Sequence, residues 1–345
     1  MDRKYAEFAL SQAVELLAID SPTSYTKKAA EWVKDAFAAL GFEATLTTKG
    51  GVIIDLGGVD NNDALFLQAH TDTLGAMVAE IKGDGRLRVV NLGGLRVENT
   101  EAENVRVHTR GGRVIEGTFQ LCNASVHVNS AYASTPRSFD TTEVVLDELV
   151  TSDADTRALG IEVGDPVCFD PRTRVTESGY IKSRFLDDKL SVGILLGFAK
   201  FLKDENLTPA RRVWAHVTVY EEVGHGGSAS VPAGVTEAIS VDMGCVGEGL
   251  RCTERQVSIC AKDSGGPYSY EVVGKLIDAA KRESADYAVD IYPHYGSDVE
   301  TTLRAGNDIR HGLIGAGVYA SHGYERSHID GVHNTLRVLK GYLNL

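Results

Sequence analysis

The stretch Ala64-Leu65-Phe66-Leu67-Gln68-Ala69-His70-Thr71-Asp72 is a short apolar run that stops on a histidine and an aspartate. Bounded by Asn/Asp clusters, such a run reads as a buried strand of an α/β sheet. Residues 52–56 upstream form a second run of the same kind. Before them lie two helices. In the second, Ala29, Val33, Phe37 and Leu40 recur at helical spacing, with Ser24 as the expected cap and Gly41 as the stop. Downstream, from about residue 75 to 175, the texture changes to short β-rich pieces at 77–81, 87–91, 105–108 and 114–119, separated by Gly-containing turns. Alternation then resumes. A helix at 188–202, strands at 213–219 and 238–241, a helix at 268–285, a short strand at 289–291 and a closing helix at 331–343 are expected. The fold class is therefore α/β, with a mostly parallel sheet flanked by helices on both faces and a small β-rich domain inserted into it. The expected division is 1–74 with 176–345 as one domain and 75–175 as the insert.

Composition narrows the function. The 345 residues suffice for one large and one smaller domain, and 43% hydrophobic and 24% charged residues lie near the averages for globular proteins. A formal charge of −13 argues against nucleic acid as a partner. With no run of 18 apolar residues, a membrane is not expected as a partner either, and the absence of a signal-peptide core points to the cytoplasm. Five cysteines without a CxxC spacing read as reduced thiols.

Acid and imidazole side chains cluster where strands are expected to end, which is where open α/β sheets place their ligand sites. His70 can ligate a metal while Asp72 holds its second ring nitrogen. Asp187 and Asp188 precede an apolar helix; Asp188 suits a helix start, whereas the two oxygens of Asp187 can bridge two ions. Glu221 and Glu222 follow the 213–219 strand and can divide the work of general base and metal ligand. Asp242 ends the next strand. A histidine from the tail Ser321-His322-Gly323-Tyr324-Glu325-Arg326-Ser327-His328 can complete the set, and the residues alone leave His322 and His328 both open.

The order His-x-Asp, Asp-Asp, Glu-Glu-Val-Gly, Asp and a late histidine resembles the M42 family of metallo-aminopeptidases, which includes glutamyl and deblocking aminopeptidases. Leu186-Asp187-Asp188-Lys189, Ser264-Gly265-Gly266-Pro267 and Gly296-Ser297-Asp298 are similar to further family blocks, in family order. The resemblance implies a dinuclear aminopeptidase removing N-terminal residues from peptides. His70 and Asp242 would hold one metal, Glu222 and His322 the other, and Asp187 would bridge them. Glu221 would be the general base on the metal-bridging water, and Asp72 would orient His70. Two divalent ions per subunit are implied, zinc first, with cobalt or manganese suiting the same ligands. The insert would be a dimerisation or PDZ-like domain, and the assembly a homo-oligomer of the tetrahedral dodecamer type. The substrate would be a short peptide or small amide, with Arg304, Arg310 and Lys262 as candidate partners for an acidic one. Two departures mark an outlying subfamily: Lys189 stands where the family has Arg, and residues 317–322 lack the Pro-x-Arg-Tyr-x-His-Ser form.

Three other readings compete. M20, M18 and M28 peptidases share the ligand pattern, but the insert between His70 and Asp187 favours M42 placement. A glycosidase needs two carboxylates facing each other about 5 to 10 Å apart across a sugar, which adjacent Glu221 and Glu222 do not easily supply. An inactive homologue would have lost ligands, yet every expected type is present.

Overall fold

Apolar residues at helical spacing give the chain its opening helices. Helix α1 (Lys4–Leu17) buries Tyr5, Ala6, Ala9, Leu10, Ala13, Leu16 and Leu17 along one stripe. Helix α2 (Lys27–Ala39) buries Ala29, Ala30, Val33 and Phe37, but its N-cap is Thr26, without a side-chain bond. Ser24, the expected cap, sits in left-handed backbone at φ 80°. The preceding loop is committed elsewhere: Ser21 Oγ donates to the Thr71 carbonyl and Thr23 Oγ1 donates to Asp72 Oδ2, each over 2.7 Å. The computed structural model describes residues 1–345, and the chain divides into a unit of Met1–Asp72 with Arg172–Leu345 and a unit of Thr73–Pro171.

Strands β1 (Glu43–Leu46), β2 (Val52–Asp55) and β3 (Asp60–His70) follow in the first unit. The second unit holds β4 (Gly75–Ile81), β5 (Leu87–Leu92), β6 (Glu103–His108), β7 (Val114–Leu121), β8 (Thr142–Leu146), the short helix α3 (Asp153–Ala158) and β9 (Pro166–Phe169). Its strands close into a barrel in the order β4-β5-β8-β7-β6-β9. Alternate residues fill the inside, among them Val105, Val107, Phe119 and Phe169, and the last two rings meet edge to face at 5.4 Å.

Back in the first unit the chain forms β10 (Arg174–Val175), β11 (Tyr180–Ser183), α4 (Leu186–Asp204), β12 (Arg211–Thr218), β13 (Val235–Val241), β14 (Gly244–Val246), β15 (Val257–Lys262), α5 (Tyr270–Arg282), β16 (Tyr287–Ile291), α6 (Asp298–Arg304), β17 (Arg310–Tyr319), β18 (Glu325–His328) and α7 (Ile329–Tyr342). With β1, β2 and β3 these strands build one 12-stranded sheet along the path β1-β2-β12-β3-β13-β17-β18-β11-β10, with β14 and β15 beside β17 and β16 beside β15. The centre, β12-β3-β13-β17, is parallel. The flanks are largely antiparallel, so the sheet is mixed and not mostly parallel. Short turns explain this, since a few residues between β1 and β2, or between β10 and β11, can reverse the chain but cannot carry it back across the sheet. β1 carries no apolar signature because three of its four residues are exposed.

Two features fix the ends of the central strands. α4 is buried along nearly its whole length, and it lies close against α1 because Gly193 and Gly197 present no Cβ: one at Gly193 would stand 2.4 Å from the Ala9 carbonyl oxygen. The register then pairs Thr218 of β12 with His70 of β3, and Ser240 of β13 with Gln68. The carboxyl ends of the three strands therefore emerge side by side. No helix is long and apolar enough to cross a membrane.

Candidate metal centre

His70 ends β3 almost fully buried. Its Nδ1 lies 2.9 Å from the backbone carbonyl of Asp72, and a carbonyl only accepts, so Nδ1 carries the proton. In the neutral ring its Nε2 is then an acceptor, and it points at Asp187 Oδ1, 3.1 Å away, with Glu221 Oε2 at 3.7 Å. Two acceptors at such a distance require a proton or a cation between them. On the other side of the same carboxylate, Asp187 Oδ2 is 3.4 Å from His322 Nε2, which also lies 3.6 Å from Glu222 Oε2. Asp187 thus offers one oxygen to each imidazole, which is the arrangement a bridging carboxylate needs.

Each side chain is delivered by a strand or helix end. Asp187 and Asp188 stand at the start of α4 with non-helical backbone angles, joined by a cis peptide bond. Glu221 and Glu222 occupy a single turn of 3-10 helix just beyond β12, after Tyr220 in left-handed backbone. Their backbone N–H groups donate to Asp72 Oδ1 (3.1 Å) and Oδ2 (3.4 Å). Asp72 therefore meets His70 chiefly through its own carbonyl, its Oδ1 being 3.5 Å from Nδ1, while its carboxylate holds the Glu pair and accepts from Thr23. Asp242 follows β13 and accepts from the Met243 N–H at 2.5 Å.

The expected residues all come together here. His70, Asp187 and Glu222 present ligand atoms within 4.8 Å of one another, and so do His70, Asp188 and Asp242. Of the two histidines left open, His322 reaches the cluster. His328 is spent elsewhere: Nε2 donates to the Ser178 carbonyl, and Nδ1 accepts from the Asp330 N–H as the N-cap of α7. The cations considered for an acidic substrate have partners of their own. Arg304 pairs with Glu300, Lys262 donates to the Asp263 carbonyl, and Arg310 pairs with Glu237 at the opposite end of β17 from His322. Lys189, in the arginine position, donates to the Leu16 and Ile19 carbonyls at the end of α1.

Several further residues at the centre were given no role in it by sequence. Asp188 reads equally well as a helix-start acid, yet its Oδ2 accepts from the His70 N–H (3.2 Å) and its buried Oδ1 has no partner. Asp298 accepts from Thr218 Oγ1 and, at 2.5 Å, from the Gly227 N–H, holding the loop beyond the Glu pair. Glu325 accepts from the Asp187 and His322 N–H groups. The Asp in Gly296-Ser297-Asp298 was a usable signal. Nothing in the sequence marked Thr23, which holds the side chain of Asp72 from a distant loop, or the hold of Glu325 on backbone amides.

The electrostatics favour a bound cation. Burial raises Glu221 and Glu222 well above the ordinary carboxylate range, and neighbouring carboxylates add to it. Burial followed by the charge of Asp187 raises Asp242 to about 7, and burial followed by Asp242 raises Asp188 well above its usual value. Burial opposes a charge on His70 too, but Asp187 and Asp72 outweigh it and its pKa rises. Asp187 alone moves down, because His322 and His70 more than offset its burial. Acids in such excess, buried together with imidazole nitrogen, fit divalent ions that accept mixed N/O ligands.

The chain matches the family model of M42 glutamyl aminopeptidase over residues 50–338. It is 41% identical over 329 residues to "Putative aminopeptidase YhfE" of Bacillus subtilis (strain 168), covering 95% of each chain. Among solved structures, it is similar to the aminopeptidase APDkam598 of the archaeon Desulfurococcus kamchatkensis, at TM-score 0.88 and 20% identity over 98% of this chain and 95% of the other. It is likewise similar to the TET1 peptidase of Pyrococcus horikoshii, described as able to assemble into a tetrahedron or a large octahedral shell, at TM-score 0.83 and 19% identity over 97% and 99%.

Proposed function

The chain belongs to the M42 peptidase family, and from that premise we propose that it is a two-metal aminopeptidase that removes N-terminal residues from short peptides or small amides. His70 and Asp242 would hold one ion, Glu222 and His322 the other, and Asp187 would bridge them, with Glu221 as general base. The observation that carries this is the Asp187 carboxylate set between two imidazole nitrogens, at 3.1 Å and 3.4 Å. Asp188, within reach of His70 and Asp242, would support the first ion. Zinc suits this donor set, as do cobalt and manganese.

The ions, when bound, would supply Lewis acidity to the scissile carbonyl and to water. The chain's own residues supply the proton traffic. Glu221 takes a proton from the attacking water as the new C–O bond forms, and returns it to the amide nitrogen as the C–N bond breaks. Burial, which holds Glu221 above the usual carboxylate range, makes it the stronger base for taking that proton from water. Asp72 keeps the base in place by accepting its backbone N–H. Asp298 does the same for the loop at Gly227. By likeness to its structural relative, the chain would assemble into a closed homo-oligomer.

The test is metal content per chain alongside hydrolysis of a panel of aminoacyl amides, before and after chelation, with Glu221→Gln in parallel. About two ions per chain, loss of activity on chelation, and a Glu221→Gln variant that keeps metal but loses a hundredfold or more in turnover (~10²–10⁴ for a general base) support the reading. Hydrolysis that survives chelation, or a Glu221→Gln variant with full turnover, overturns it.

A further inference from the structure

Glu325 lies at the start of β18, buried and about 2% exposed. Its two oxygens divide between two distant parts of the chain: Oε2 accepts from the Asp187 N–H at 3.0 Å, and Oε1 accepts from the His322 N–H at 2.9 Å. Both distances are good for N–H to carboxylate bonds, which are stronger than neutral ones. The residues so joined are 135 positions apart in sequence, and their side chains meet over 3.4 Å between Asp187 Oδ2 and His322 Nε2. Neither segment is held by regular structure at that point. Asp187 has non-helical angles at the start of α4, and His322 is in left-handed backbone at φ 60° in the turn between β17 and β18. The β17–β18 pairing fixes Tyr319 opposite Arg326, which leaves the turn carrying His322 to be located by other contacts.

We propose that Glu325 is a positioning residue: one buried carboxylate that clamps the backbone of Asp187 and His322 together and so sets the spacing of the second metal subsite. The proposal rests on the metal-centre reading above and assigns Glu325 no contact with substrate or ion. Its logic is that of outer contacts orienting metal ligands, here through backbone amides and not through a ring nitrogen. Without the clamp, the Asp187 and His322 amides lose their acceptor inside the protein, and the turn is free to shift the imidazole away from Asp187 and Glu222. The expected effect falls first on metal affinity, about tenfold to a hundredfold, as when other outer contacts of metal ligands are removed. Catalysis falls as a consequence, and part of it returns at high metal concentration. A residue that merely stabilised the fold would lower the melting temperature and leave the affinity of the folded fraction unchanged.

The test is calorimetric titration of the metal-free full-length protein with Zn2+, for the unaltered chain and for Glu325→Gln, with melting temperatures of both metal-free forms and kcat measured against Zn2+ concentration. Glu325→Gln preserves size but presents an amide N–H₂ to one of the two donors. The expected result is a tenfold to hundredfold weaker binding step in Glu325→Gln, with kcat partly recovered by added Zn2+. Binding within twofold of the unaltered protein overturns the clamp. Failure of the unaltered protein to bind Zn2+ overturns the metal-centre reading itself, and the clamp with it. Should Glu325→Gln not fold, Glu325→Asp keeps the charge on a side chain one methylene shorter that cannot span both amides, and unchanged Zn2+ affinity there overturns the proposal equally.

Discussion

Thr23 is a single buried hydroxyl that shows how much of the site is held from behind. It donates to Asp72 Oδ2, and the same carboxylate accepts the N–H groups of Glu221 and Glu222. A chain of bonds thus runs from the loop between the first two helices to the proposed general base. Replacing the hydroxyl with a methyl, as in Thr23→Val, keeps the volume and leaves one lone pair of a buried carboxylate unmet, a loss worth about 1–3 kcal/mol. Denaturant unfolding should show that loss for Thr23→Val and only a small fraction of it for Thr23→Ser, and equal stability of the two variants would sink the argument. This layer was not legible in sequence. The proposed ligands His70, Asp187, Glu222 and Asp242 and the proposed base Glu221 announce themselves because chemistry demands their residue types at the ends of apolar strands. Thr23, Asp188 and Glu325 do not, because any hydroxyl or carboxylate anywhere in the chain could serve, and only the fold says which one arrives.

At the scale of strands and helices, the centre of the sheet was readable and its flanks were not. β3, β12 and β13 are largely buried and so appear as apolar runs, whereas β1 and β10 are short, exposed pieces and β18 is a short, buried but polar one. One buried acid ties several of these elements together at the end of the sheet away from the site. Glu237, on β13, meets Arg211 of β12, Lys275 of α5, Arg310 of β17 and the Tyr342 hydroxyl of α7. Burial pushes its carboxyl up, but the Tyr342 bond and the Arg211 charge outweigh this and its pKa ends below the ordinary 4.5. The sign follows from linkage. A carboxyl with a folded pKa below its unfolded value adds stability that is complete above the unfolded value and disappears as pH falls through the folded one. Glu237→Gln should therefore cost about 3–5 kcal/mol at pH 7, the range for breaking a buried ion pair. The gap from the unaltered protein should narrow as pH drops below about 4.5. Urea unfolding at pH 7, 5 and 3.5 measures it, and a gap that stays constant or widens in acid contradicts the assignment.

Across the whole molecule, the inserted barrel begins at Thr73, one residue after Asp72, and the chain returns at Arg172, shortly before Asp187. The sequence shows a change from apolar alternation to short β pieces over about residues 75–175, while closure of those pieces into a barrel depends on pairings such as β5 with β8 and β6 with β9 that no local pattern encodes. All the proposed ligands belong to the first unit, which gives metal removal a regional signature. The five segments that carry them are joined in the folded chain by a few hydrogen bonds around an excess of buried acid, so an ion that binds only the folded state should stabilise this unit by about 2.7 kcal/mol per site at a hundredfold excess over its Kd. Chelation should lower the melting temperature by several degrees. In hydrogen-exchange mass spectrometry it should speed exchange in peptides spanning His70–Asp72, Asp187–Asp188, Glu221–Glu222, Asp242 and His322, with no change in β4 to β9. Uniform loosening of both units would mean that metal acts through assembly and not through the site. Unchanged exchange at the ligand segments would mean that the hydrogen bonds alone keep the cluster in place.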